Sequence, residues 1–253
     1  MKMHVLSGGR LRMKKSIYLP DADRSETIDL PVSSMLLRHK QANVLFDTGC
    51  HPSVVDDAAA RWGSMARAMT PIMGPGDNVI SGLAELGLAP DDIDVVVNSH
   101  FHPDHCGCNG FFTKATFLVH ASELEAAKAS DSLSRGYLPV DWDHPMPMDD
   151  IDGQRDVFGD GRIVLVPLPG HTVGSVGALV ALDRSGTFLL ASDAVSLRAS
   201  LDRDIVPRNT WNAELLLASL AEIRRIEQGG ATVICGHDLD QWEGLRKGTH
   251  AYD

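Results

Sequence analysis

The sequence predicts a layered α/β or α+β domain, sheets covered by helices, and three observations carry that prediction. Short apolar runs rich in β-branched residues recur along the chain and read as strands. Segments with helical apolar periodicity lie between them. The 253 residues are 43% hydrophobic, enough to bury one sizeable core, so a single domain over residues 1–253 is expected.

In chain order, the first strands are His4 to Leu6, Val32 to Leu37 and Asn43 to Phe46. Arg61 to Gly76 follows, with Met65, Met69 and Met73 at helical spacing ahead of a Gly-Pro-Gly turn. Ile93 to Val97 and Thr116 to Val119 are the next strands. Ser122 and Glu125 form a capping-box signature for a helix near Ala121 to Ala129. Asp131 to Asp160, rich in Asp, Pro and Gly, reads as a long surface loop or lid with little regular structure. Strands resume at Ile163 to Val166, Val176 to Leu182 and Thr187 to Leu190. Asn212 to Gln228 carries the clearest helical pattern, with Leu216, Leu220, Ile223 and Ile226 on one side and Gly229-Gly230 as its stop. Thr232 to Ile234 is the last strand.

Formal net charge is -11 at pH 7, which repels phosphate backbones and anionic membranes and sets the expectation of neither nucleic-acid nor membrane partners. Met1 to Ser16 mixes Lys and Arg with isolated apolar residues and holds no signal-peptide core, and no stretch is long enough to cross a bilayer. A cytoplasmic protein is expected. The 4 cysteines, Cys50, Cys106, Cys108 and Cys235, fit a reduced state better than a disulfide framework. Oligomeric state is left open, with a homodimer as the assembly considered.

The chemistry lies where polar residues follow strands. His100 comes just after Ile93 to Val97, His171 after Ile163 to Val166, Asp193 after Thr187 to Leu190, and His237 after Thr232 to Ile234. If those strand ends share one edge, four rigid elements deliver ligands to one site. The first turn reads His100-Phe101-His102-Pro103-Asp104-His105, the pattern HxHxDH. In an extended turn alternate residues point to opposite sides, so His100 and His102 can reach one metal while Asp104 and His105 face a second. Imidazole and carboxylate without thiolate suit Zn²⁺, and equally Mn²⁺, Fe²⁺ or Co²⁺. Two divalent ions, zinc foremost, are the expected cofactors. Asp193 is placed to bridge them, His171 to complete the first site and His237 the second, with room left for water or substrate. Asp47 either orients a ligand or caps its own turn.

HxHxDH at His100 to His105, Gly170-His171, Asp193 and Gly236-His237, with the early turn Asp47-Thr48-Gly49, resemble the metallo-β-lactamase superfamily over essentially the whole chain. The resemblance implies an αββα sandwich: two mixed sheets back to back, helices on the outer faces, metals at one edge. Asp193 stands where the common zinc β-lactamases place Cys or Ser, which argues against antibiotic hydrolysis. The complete second-site set Asp104, His105 and His237 argues against the single-iron persulfide dioxygenases. Only about 16 residues follow His237, too few for the glutathione-binding helices of glyoxalase II-like thioester hydrolases, and the acidic charge disfavours nucleases acting on phosphodiesters.

In length, in the opening Leu6-Ser7-Gly8-Gly9 and over Asp92 to Gly107, the chain is similar to the quorum-quenching N-acyl homoserine lactonases and pyridoxolactonase. The resemblance implies a lactone substrate, attacked by hydroxide held between the metals, with Asp104 as general acid toward the ring alkoxide. Hydrolysis of another lactone, a thioester or a phosphodiester on the same site is the alternative, and a metal-binding scaffold without turnover is a further one. Those lactonases carry a Tyr three residues after the bridging Asp; this chain has Ser196. An acyl chain would need an apolar slot, which Met65, Met69 and Met73 or Met146 and Met148 either line or leave for ordinary packing. Cys106 and Cys108 read as small residues packed beneath the site, and His51 and His120 as structural.

Overall fold

A computed structural model describes residues 1–253. One sheet has seven strands: β1 (Lys2–Lys14), β2 (Thr27–Arg38), β3 (Asn43–Phe46), β4 (Thr70–Pro71), β5 (Val95–Val97), β6 (Thr116–His120) and β7 (Met148–Ile151). The other has five: β8 (Arg155–Asp156), β9 (Ile163–Pro167), β10 (Val176–Leu182), β11 (Gly186–Ser192) and β12 (Thr232–Cys235). Their orders are β4-β1-β2-β3-β5-β6-β7 and β12-β11-β10-β9-β8.

The period-2 alternation of side chains decides the layers. Val5, Met35, Leu37, Val44 and Phe46 face one way and pack in a single cluster with Leu165, Ala178, Leu190 and Ile234 of the other sheet. Their neighbours Leu6, Leu36 and Leu45 face the opposite way, onto Val79 and Leu83 of the helix Val79–Glu85. In the second sheet Leu189 and Val233 point outward onto Leu220 and Ile223 of the helix Ala213–Gln228. Helix, sheet, sheet and helix are thus four layers, the αββα arrangement expected. Both faces of the central strands are buried, which is why those strands read as near-continuous apolar runs.

Asn43–Phe46 and Val176–Leu182 have the expected bounds, and Asn212 caps its helix by accepting from the Leu215 amide at 3.0 Å. Other expectations need correction. The strand placed at His4 to Leu6 runs from Lys2 to Lys14, because β1 pairs with β2 along its length through a bulge at Ser7/Gly9. The helix after β6 is capped by the ring of His120, whose Nδ1 accepts from the Ser122 amide at 3.3 Å, so Ser122 is inside the helix rather than its cap.

The segment Asp131 to Asp160 is not a structureless lid. It forms short helices at Ser132–Arg135 and Pro139–Trp142 and contributes the edge strands β7 and β8. Tyr137, Trp142 and Ile151 are buried, and fully buried Asp141 accepts from Arg61 Nε at 2.8 Å. Its polar composition hid this: in β7 only Ile151 is buried while Asp149 and Asp150 face solvent. No helix is long and apolar enough to cross a membrane.

Candidate metal centre

Strand directions bring the donors together. β9 and β11 both run antiparallel to β10, and β12 runs parallel to β11, so β9, β11 and β12 end on the same edge. His171, Asp193 and His237 follow those ends. In the other sheet β3 and β5 are parallel, and the turns after them carry Asp47 and His100. The expectation of an extended HxHxDH turn is half right. His102 is extended (φ -73°, ψ 151°), but Pro103 starts one helical turn, Pro103–Cys106, and that turn carries Asp104 and His105. Proline suits this first helical position because it has no amide hydrogen to leave unpaired.

All seven predicted residues converge. His102 Nδ1 lies 3.1 Å from His100 Nε2 and 3.0 Å from His171 Nε2. Asp104 Oδ2 lies 3.7 Å from His105 Nε2 and 3.6 Å from His237 Nε2. Asp193 faces both groups: Oδ1 is 3.5 Å from His105 Nε2 and 2.9 Å from His237 Nε2, and Oδ2 is 3.4 Å from His171 Nε2. Within each of the sets His100-His102-His171, His100-His105-Asp193 and Asp104-His105-His237, the donor atoms lie within 4.8 Å of one another.

The opposite ring nitrogens fix which atoms point inward. Asp47, in the left-handed region at φ 59°, accepts from Ser99 Oγ at 2.7 Å and from His105 Nδ1 at 2.8 Å, which turns His105 Nε2 toward Asp104 and Asp193. Ser99 Oγ in turn takes His100 Nδ1–H at 3.0 Å. His237 Nδ1 donates to the Pro31 carbonyl at 3.0 Å, and His102 Nε2 donates to the Arg135 carbonyl at 3.0 Å. Acceptors on the far nitrogen are what metal-binding imidazoles require.

His105 Nε2 is buried without a hydrogen-bond partner, and buried His237 Nε2 and Asp193 Oδ1 face only one another at 2.9 Å, in poor hydrogen-bond alignment. Each such orphan costs about 1–3 kcal/mol, and a cation at their meeting point removes the cost. Titration behaviour points the same way. Burial alone would lower the His105 pKa, but Asp104, Asp47 and Asp193 outweigh it and raise it to about 10. Burial lowers His171 to about 3 and pushes His100 well down, so both stay neutral donors. Burial opposes ionisation of Asp193, yet His237, His171 and His105 hold its carboxyl well below the usual range. The carboxylates that draw a proton onto His105 would draw a divalent cation in its place, and a buried set of imidazole nitrogens and carboxylate oxygens without thiolate fits such an ion.

A cavity of about 450 Å³ opens over this edge, with His102, Asp104, His171 and Asp193 in its floor. Met65 and Met69 line it with Met13 and Ile17, and Leu133 and Trp211 stand at its exposed rim. Met73, Met146 and Met148 lie away from it. Met73 joins a core cluster, and the other two pack against the helix-covered face of the first sheet. Ser196 is buried with Oγ unpartnered and does not line the cavity. Tyr18, which the sequence reading passed over, does line it. Its hydroxyl has only the Met13 sulfur as partner, at 3.2 Å, and its ring meets His237 edge-on. Burial, then Asp193 and Asp104, keep the phenol protonated. Of the other tyrosines, Tyr137 also lines the cavity, but its hydroxyl engages Glu123 and Thr172, and Tyr252 packs on Phe188. No motif marks Tyr18. Cys106 and Cys108 are buried free thiols, His51 stacks on Phe111, and His120 is the helix cap already described.

The sequence profile of the metallo-beta-lactamase superfamily matches residues 27–237. The chain is 30% identical over 260 residues to the N-acyl homoserine lactonase AttM of Azorhizobium caulinodans, covering 100% of this chain and 99% of the relative. It is similar to a solved N-acyl homoserine lactone hydrolase with the product N-hexanoyl-L-homoserine bound at its catalytic metal centre (TM-score 0.89, 26% identity, 99% of this chain and 98% of the other). A variant of AiiA from B. thuringiensis with N-decanoyl-L-homoserine bound at the active site matches equally well (TM-score 0.89, 26% identity, 99% and 98% covered).

Proposed function

The chain belongs to the metallo-β-lactamase superfamily and is a metal-dependent hydrolase, and from that premise we propose that it opens the ring of N-acyl homoserine lactones with two zinc ions. His100, His102 and His171 would hold one ion and Asp104, His105 and His237 the other, with the Asp193 carboxylate facing both groups of donors. The observation that carries this reading is Asp193, whose two oxygens face the two donor groups on the floor of an apolar cavity. When bound, such ions polarise an ester carbonyl and make water acidic enough to ionise near neutral pH.

Net, water adds to the carbonyl carbon, the ring C–O bond breaks, and a carboxylate and a hydroxyl result. Asp104, in the floor and facing both His105 and His237, takes the proton released by the attacking water and passes it to the departing alkoxide oxygen. Tyr18 donates its O–H to a substrate oxygen, a stronger acceptor than the thioether it now meets. The acyl chain lies along Met65 and Met69, whose flexible side chains adapt to chains of different length, and leaves past Leu133 and Trp211.

The test is elemental analysis followed by proton release from acyl homoserine lactones, simple γ-lactones and a glutathione thioester. Two zinc ions per chain and lactone opening abolished by a chelator are expected. Two ions with turnover of the thioester alone would sink the lactone reading.

A further inference from the structure

Four of the five site histidines are almost fully buried, and the three of them whose far nitrogen has a partner are braced from within the fold by Asp47, Ser99 or Pro31. His102 is the partly exposed one, and its brace comes from outside. Nε2 donates to the carbonyl of Arg135, in the short turn Ser132–Arg135 that also carries Leu133 to the cavity rim. The turn closes on Gly136 at φ 89°, where the Gly136 amide bonds to Leu133 O and the Tyr137 amide to Ser132 O, at 3.2 and 3.1 Å. A Cβ at residue 136 would stand 3.0 Å from His102 Cδ2 and 3.2 Å from Nε2, against the same edge of the ring that the carbonyl holds.

We infer that the Ser132–Gly136 turn is a positioning element for the first metal: its carbonyl and its bare glycine together set the His102 ring so that Nδ1 meets the nitrogens of His100 and His171. This rests on the metal-site reading above. Position 136 excludes a side chain twice over, through its left-handed backbone and through the ring beside it. The contact at Arg135 comes from the backbone, and the side chain adds to the turn only an exposed ion pair with Asp131, of a kind that contributes little to stability. A shift of the turn turns the ring, and with it the donor atom, while Asp104, His105 and His237 are untouched.

Gly136→Ala is compared with wild type by elemental analysis and by competition with a chromophoric chelator on the zinc-loaded protein. One of the two ions is expected to be held about 10- to 100-fold more weakly, the range for loss of an outer partner of a ligand, and the other as in wild type. Arg135→Ala, which keeps the carbonyl, is expected to match wild type. Wild-type affinity at both sites in Gly136→Ala, or a loss in Arg135→Ala as large as in Gly136→Ala, would overturn the inference. Long-range ¹H–¹⁵N spectra of the wild-type protein decide independently of whether the variant folds: His102 should carry its proton on Nε2, and a proton on Nδ1 would overturn the tie. Wild type that takes up no zinc would instead remove the metal-site reading itself.

Discussion

At the scale of single residues, Asp104 and Tyr18 are the two cavity groups to which the proposed reaction gives a proton role. Asp104→Asn keeps the shape but not the acid. Turnover is expected to fall about 100-fold or more, in the range for general acid catalysis, measured as kcat on metal-matched protein. Full activity at equal metal content would end the proton-delivery role. Tyr18→Phe removes one hydroxyl, whose hydrogen bond is worth on the order of 1 kcal/mol. A loss of about 5- to 10-fold in kcat/KM with unchanged zinc content follows. A change in zinc content without a change in kcat/KM would make Tyr18 a packing residue. The difference between the two residues in legibility is instructive. Asp104 sits in a motif whose spacing reports the chemistry, whereas Tyr18 is placed by tertiary contacts, its ring packed in a core cluster and its segment held by Arg208, whose Nε donates to Ser16 O at 3.0 Å and whose amide donates to Ile17 O at 2.7 Å.

At the scale of elements, the helix Ala213–Gln228 covers the outer face of the second sheet with Leu216, Leu220 and Ile223 buried. Leu220 is fully buried against the strands that end in Asp193 and His237. Leu220→Ala should cost about 2–5 kcal/mol, from lost apolar contact plus the cavity left behind, read by urea unfolding. A cost below about 1 kcal/mol would mean the helix is peripheral to the fold. This helix was readable because a 3.6-residue apolar pattern and a double glycine agree. Strands β3 and β10 were readable because their apolar runs coincide with their hydrogen-bonded lengths. β7 was not: Met148–Ile151 is a strand through pairing with β6, a fact of tertiary contact that Asp149 and Asp150 conceal. The brace on His102 was unreadable for a related reason, since any residue supplies a backbone carbonyl.

At the scale of the whole molecule, donors come from both sheets, so metal ions bind the folded chain and not the unfolded one. Binding then adds to stability by mass action, about 4 kcal/mol when free metal is a thousandfold above its dissociation constant. Stripping the ions with a chelator is expected to lower Tm by about 10 °C, and resupplying zinc to restore it, as followed by calorimetry. An unchanged Tm would show that the donors do not hold metal in the folded protein. The seven residues that the fold brings together were legible as a set, four because they follow apolar runs that share an edge and three because they belong to the HxHxDH turn.

That shared edge also orders events in time. The donor turns span residues 100 to 237, and the sheets that carry them touch through one common core cluster. A chain with only its first half folded possesses His100, His102, Asp104 and His105 but has nothing to oppose them. Capture of metal is therefore a late step of self-assembly, following the docking of the two sheets, and the rate at which zinc is taken up during refolding becomes a clock for that docking.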